Sequence, residues 1–283
     1  IEIRGEITNN KIIDRQKFLN IGFKKGFKNL SISLLKREDQ KKILTTDLEN
    51  IKLLIENYSV QEEKITEEKY YLKVSIVFNK EKTLQFFYKN NVPYSVSNKL
   101  EIIVYPIFVY NSDLKIFSDN KFFEEWNNDN KNFKNINFIL PLENIDDINF
   151  IKENVDELEE TDLNRLVDNY EIKNSTILIL RYYEKELNIF LKTNLSGKKK
   201  INSLDVKVDN LDSADVRADI IRNLKLFIND IWKEENLVDI SVPSYLNIIA
   251  KLNGPNKLVK VTKKLKEIGF IENYTIEEVN TNF

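Results

Sequence analysis

The stretch Leu195-Ser196-Gly197-Lys198-Lys199-Lys200 contains the Gly-Lys pair that a phosphate-cradling loop requires. The rest of that pattern is missing. Lys192 stands where the first glycine belongs, and Lys199 replaces the hydroxyl that would hold magnesium. A basic hairpin is the plainer reading. Asn253-Gly254-Pro255-Asn256-Lys257 reads as a strand-to-helix turn. Asp205, Asp209, Asp212, Asp215 and Asp219 crowd one stretch and suggest calcium. The EF-hand spacing fails, because Leu211 occupies the second ligand position and no glycine follows at the sixth. Asp212 and Asp215 also suit a helix N-terminus through its dipole. The acidic run Asp156, Glu157, Glu159, Glu160 and Asp162 reads as solvated loop and helix start, with a cation or a basic partner as the sharper alternative. Tyr70-Tyr71, Phe86-Phe87-Tyr88 and Tyr182-Tyr183 could stack sugars or bases, but most of them fall on core-facing positions. No catalytic, cofactor-binding or metal-binding residue is assigned from the sequence.

The 283 residues contain no His, Cys or Met. That excludes a disulfide framework, thiol chemistry, thiolate zinc and the Ser-His-Asp triad. Carboxylates, Lys, Tyr and Ser remain available for chemistry. Lys+Arg is 43 against Asp+Glu 45, a net charge of -2, which argues against a nucleic-acid binder. No apolar run is long enough for a transmembrane segment. Asn is heavily used, at 37 residues, a drift expected of an AT-rich genome, so Asn and Lys are discounted as functional signals. The chain opens at Ile1 rather than Met, as expected of a processed form. Removal of a signal peptide, a cleaved tag and trimming each account for that.

The elements that would position these residues are α+β: several small α/β sandwich modules with mixed or antiparallel sheets. Residues 1–98 form the first module, β-α-α-β-β-α. Ile1, Ile3 and Ile7 alternate as a strand, and Ile12, Gln16, Leu19, Phe23 and Phe27 follow at helical spacing. Gly22 and Gly26 share a helix face and predict close packing onto the sheet, or contact with a partner. Thr46 with Glu49 fits a capping box ahead of Leu48, Ile51, Ile55 and Tyr58. Strands over 58–65 and 70–78 and a helix over 80–90 complete the module.

Residues 99–237 form the central module. Its strand Leu100–Tyr110 contains Pro106, which predicts an edge position or a bulge. Further strands are expected over 114–117, 137–142, 176–183, 187–194 and 204–208. Thr161 is expected to cap a helix through Tyr170, and Ser213 the longest helix, 214–235. Residues 238–283 read as a βαβ half of a ferredoxin-like unit. Its strands are 245–252 and 271–279, its helix starts at Pro255, and Gly269 serves as the stop. A native chain continuing past Phe283 would supply the other half.

Val74-Ser75-Ile76-Val77-Phe78-Asn79, followed by Leu84 and Asn91-Val92-Pro93, resembles a passage of domain-of-unknown-function family 2066. Ile102–Phe108, Asp119-Asn120, Trp126, Pro141-Leu142, Asp146-Asp147-Ile148 and Leu166–Tyr170 follow in the order of its alphaproteobacterial branch. Ile1–Thr8 fits its opening and Tyr245–Val279 its tail. The resemblance implies an exported protein of the Gram-negative envelope and brings no established activity. The expectation is a non-enzymatic periplasmic or outer-envelope protein that binds or scaffolds an unidentified envelope protein. The alternatives are a small-ligand or lipid-binding protein and a carboxylate-only glycan hydrolase.

Overall fold

The structure is a computed structural model that describes residues 1–6, 14–66, 69–95, 99–128, 133, 136–238, 247–249, 255–268, 271 and 273–278. In chain order its elements begin with β1 (Glu2–Glu6), α1 (Arg15–Leu34), α2 (Arg37–Ile43), α3 (Leu48–Leu54), β2 (Ile55–Ile65), β3 (Lys69–Phe78), α4 (Lys80–Lys89) and β4 (Tyr94–Ser95). They continue with β5 (Leu100–Tyr110), β6 (Asp113–Lys115), α5 (Lys121–Glu125), β7 (Ile136–Ile139), α6 (Ile145–Glu153) and α7 (Arg165–Asp168). The rest are β8 (Ser175–Tyr183), β9 (Glu186–Leu195), β10 (Lys198–Lys207), α8 (Ala214–Glu235), β11 (Leu237–Val238) and α9 (Pro255–Glu267). Helices and mixed or antiparallel sheets make the fold α+β. The chain divides into two compact units, Ile1–Ser95 with Leu237–Phe283, and Val96–Asn236. Residues 238–283, expected as a module of their own, are grouped with the N-terminal unit.

In the first unit three antiparallel strands are ordered β1-β3-β2, with Ile3 opposite Leu72 and Val74 opposite Val60. The alternation in β3 buries Tyr70, Leu72 and Val74 on the face that meets Leu19, Phe23 and Phe27 of α1. The two glycines of α1 let it settle onto this face. A Cβ on Gly22 would stand 3.1 and 3.2 Å from Ile3 and Val74, and one on Gly26 would stand 2.9 Å from Ile76. Close packing on the sheet is thus their role.

Several local expectations are corrected. Asp47, not Thr46, caps α3 by accepting from the Asn50 N–H, while the Thr46 hydroxyl donates to the Ile43 carbonyl. Helix α3 ends at Leu54, and Ile55 and Tyr58 belong to β2, because pairing with β3 claims that backbone. A further short helix, α2, precedes α3.

In the second unit a mixed sheet runs β10-β9-β8-β5-β6, with β7 also on β5. Strands β5 and β8 are parallel and buried on both faces. Ile102, Val104, Leu178 and Leu180 meet Leu224, Ile228 and Trp232 of α8. Ile103, Tyr105, Ile177 and Ile179 meet Ile151, Leu166 and Val167 of α6 and α7 on the opposite face. Strand β5 is therefore central, which corrects the expected edge or bulge. Pro106 is tolerated because β7 pairs only residues 100–103 and β6 only 108–110. The Pro106 carbonyl accepts from Asn120 Nδ2 at 3.0 Å in the gap between them. The proline nitrogen, on the same side of the strand, meets no ladder acceptor.

Helix α8 spans Ala214–Glu235 as expected, although the Ser213 side chain makes no cap bond. The helix expected after Thr161 shrinks to α7, and the Thr161 hydroxyl donates to the Glu157 carbonyl. Strand β10 begins at Lys198, six residues before the expected start.

At the C-terminus the helix over 255–267 is present. The expected strand 271–279 is not formed among its described residues: 271 and 273–278 are irregular and none is buried. Glu277 and Glu278 interrupt the apolar alternation a strand would bury. Of the expected strand 245–252 only 247–249 are described, and they are irregular. The ferredoxin-like half is therefore not formed among the described residues. Gly269 lies outside them.

Candidate functional site

The residues singled out for chemistry do not converge. Ser196 and Gly197 form the β9–β10 hairpin turn at φ of 53° and 83°, with a strand rather than a helix following. The neighbouring lysines are engaged: Lys198 pairs with Glu235 at 2.7 Å, Lys200 with Glu235 at 2.6 Å, and Lys192 donates to the carbonyls of Leu158 and Thr161. These bonds, Lys198 first, hold the Glu235 carboxyl below its ordinary range. Asp205 lies on β10 and accepts from Asn188, Asp209 faces Lys185 at 3.4 Å, and Asp219 pairs with Arg222. No cluster of three acidic side chains able to hold a metal forms among the described residues. From the acidic run, Glu159 is clasped by Arg181 at 2.6 and 3.0 Å.

The aromatic pairs are mainly structural. Tyr70 and Phe87 are core, and Tyr182 stacks on Tyr110 at 5.4 Å while donating its hydroxyl to the Val208 carbonyl.

Two buried polar groups escaped the sequence reading. Asp147, in the first turn of α6, accepts from the Tyr105 hydroxyl at 3.3 Å. Burial pushes its carboxyl upward, and it joins no cluster of three metal-ligating side chains among the described residues. Lys225 of α8 donates to the Trp126 carbonyl and lies 5.5, 5.8 and 5.4 Å from the rings of Trp126, Phe133 and Phe138. That aromatic box holds a desolvated ammonium by cation–π attraction. At 1% exposure Lys225 braces α8 against the α5 region and is closed to a substrate.

Two accessible concavities lie elsewhere, on the first unit. A groove of about 580 Å³ runs between α1 and the α2–α3 connection. Phe27, Ile43 and Ile51 form its floor and Ile21 and Leu44 its apolar lip, while Lys24, Lys25 and Lys28 line it on the α1 side and Asp47, the cap of α3, on the other. Ile21 and Leu44 are 42% and 57% exposed, so this apolar surface faces water. A second groove of about 520 Å³ lies along Gln16, Phe23, Lys52, Ile55 and Tyr58, where the Tyr58 ring meets Phe23 at 5.1 Å.

No family model matches the chain, and neither a curated protein nor a solved structure matches it.

The groove's chemistry follows from α1. This helix carries Arg15, Lys17, Lys24, Lys25 and Lys28 and no acidic residue over twenty positions. Lys25 is tied to the Glu2 carbonyl at 2.9 Å, whereas Lys24 and Lys28 form no ion pair among the described residues. The near-zero net charge conceals a division between the units. Residues 1–95 and 237–283 hold 24 Lys/Arg and 18 Asp/Glu, and residues 96–236 hold 19 and 27. The acid-free stretch Arg15–Leu34 was the available sequence signal, and discounting Lys as codon drift hid it.

Proposed function

We propose that the chain is a non-catalytic protein of the cell envelope that binds another protein through the groove between α1 and the α2–α3 connection. The observation that carries this reading is an open apolar floor whose lining bears three lysines against one acid, Asp47. A partner segment with apolar anchors flanked by Asp or Glu matches it. Apolar contacts supply affinity in such grooves, and charge complementarity supplies orientation and encounter rate. The envelope placement rests on the resemblance to domain-of-unknown-function family 2066. The open groove and the scattered carboxylates favour a docking surface over a ligand pocket or a hydrolase cleft.

A photo-crosslinking residue at Leu44, used in envelope fractions of the source organism, tests the reading. The expected adduct maps to an acidic, apolar-anchored segment of one protein and disappears in Lys24→Glu/Lys28→Glu. An adduct that survives the charge reversal, or no adduct at Leu44 when one forms at Val206 of the other unit, overturns it.

A further inference from the structure

Helix α9 has an apolar stripe that is only partly covered among the described residues. Leu258, Val261, Leu265 and Ile268 fall within an arc of about 80° at 100° per residue. Leu258, Val261 and Leu265 are half-buried, and Ile268, one residue past the helix, is 46% exposed, so none of the four is buried. A helix of this length is marginal in water unless a face is packed.

Its charges pose a second problem. Lys257, Lys260, Lys263 and Lys266 repeat at i, i+3, and Lys260 and Lys264 stand four apart. Like charges at these spacings repel and destabilise the helix. Glu267 is the one acid of the helix, and no ion pair relieves the lysines among the described residues.

We propose that α9 lies on the surface of an anionic phospholipid bilayer, with the stripe inserted at the interface and the lysines against the headgroups. One surface then answers both problems: it covers the stripe, and its negative potential relieves the repulsion. Lysines flank the stripe on both sides, where their stems can extend toward phosphate. The chemistry favours a bilayer over a protein groove. The helix has no Arg for bidentate recognition and no aromatic anchor, the residues that dominate protein hot spots. A nucleic acid offers phosphate but nothing to cover Leu258, Val261 and Leu265. This surface is distinct from the α1 groove.

The test is co-sedimentation of the full chain with vesicles of phosphatidylglycerol and phosphatidylcholine, against phosphatidylcholine alone. Binding to the anionic vesicles only is expected. Val261→Glu and, separately, Lys260→Glu/Lys264→Glu should each weaken it by about tenfold or more. Both substitutions fall outside the core, and circular dichroism verifies folding. Lys24→Glu/Lys28→Glu on α1 should leave it within about threefold. No binding to anionic vesicles, equal binding to phosphatidylcholine, or affinity that the α9 variants leave unchanged and the α1 variant abolishes would each overturn the proposal.

Discussion

Gly5 and Gly197 show how one residue type does different work in this chain. A Cβ on Gly5 of β1 would stand 2.2 and 2.5 Å from ring atoms of Phe18, which itself meets Tyr70 at 4.5 Å. Gly5→Ala must displace that ring, and overpacking of this kind costs about 1–3 kcal/mol. Gly197 has open space around it but a φ of 83°, so Gly197→Ala is expected to cost about 1–2 kcal/mol through backbone strain alone. Urea unfolding should show both variants destabilised; a Gly5→Ala variant as stable as the parent would contradict the packing of α1 on β1. Tyr70 is a second test at this scale. Burial, reinforced by its 2.5 Å bond to Glu63, raises its phenol from 10.0 to about 12. A raised folded-state value means the contribution is whole below pH 10, where the unfolded phenol is still neutral. It is then lost as pH rises from 10 towards 12. Thermal melts across that window should show a fall that Tyr70→Phe reduces. Identical alkaline slopes for the two proteins would refute the assignment.

Among the described elements, β2 and β10 are long strands with one edge open. Strand β10 pairs with β9 alone among the described residues. It carries Lys198, Lys199, Lys200 and Lys207, and charged side chains on an edge discourage pairing with another chain. Lys199 and Lys207 are exposed and in no described ion pair. Lys199→Val/Lys207→Val should accelerate aggregation, followed by light scattering, while the unfolding midpoint stays within about 0.5 kcal/mol of the parent. Unchanged scattering would show that β10 needs no such protection. Elements with strong periodicity were legible in advance. The stripe of α8 and the alternation of β3 were read directly, because each presents a continuous face to one core. Helix α3 and β2 were not separable. Ile51, Ile55 and Tyr58 fit a helical stripe, and only the pairing of Ile55 with Phe78 turns the chain extended.

At the scale of the molecule, Val96–Asn236 is continuous and contains both faces of the second sheet's core. Expressed alone, it should unfold cooperatively with dispersed amide resonances. Collapse into an unstructured fragment would show that the division into units is not a folding boundary. The first unit is discontinuous: β4 pairs with β11, and Val238 packs against its core. A fragment ending at Ser95 should therefore be less stable than the same segment supplied with residues 237–283.

The sequence by itself determined the α+β class, the stripes of α1 and α8, the β9–β10 hairpin turn and the absence of thiol and imidazole chemistry, since these depend on residue identity and local period. Tertiary structure decided the rest. It placed β5 at the centre of a sheet despite Pro106, because the gap between β7 and β6 leaves the proline nitrogen no ladder to break. It scattered the aspartates of 205–219 among separate partners, because strand, loop and helix carry them apart. It also set Lys24 and Lys28 around exposed apolar side chains. Local propensity makes α1 a helix, but only packing chooses which of its faces stays exposed.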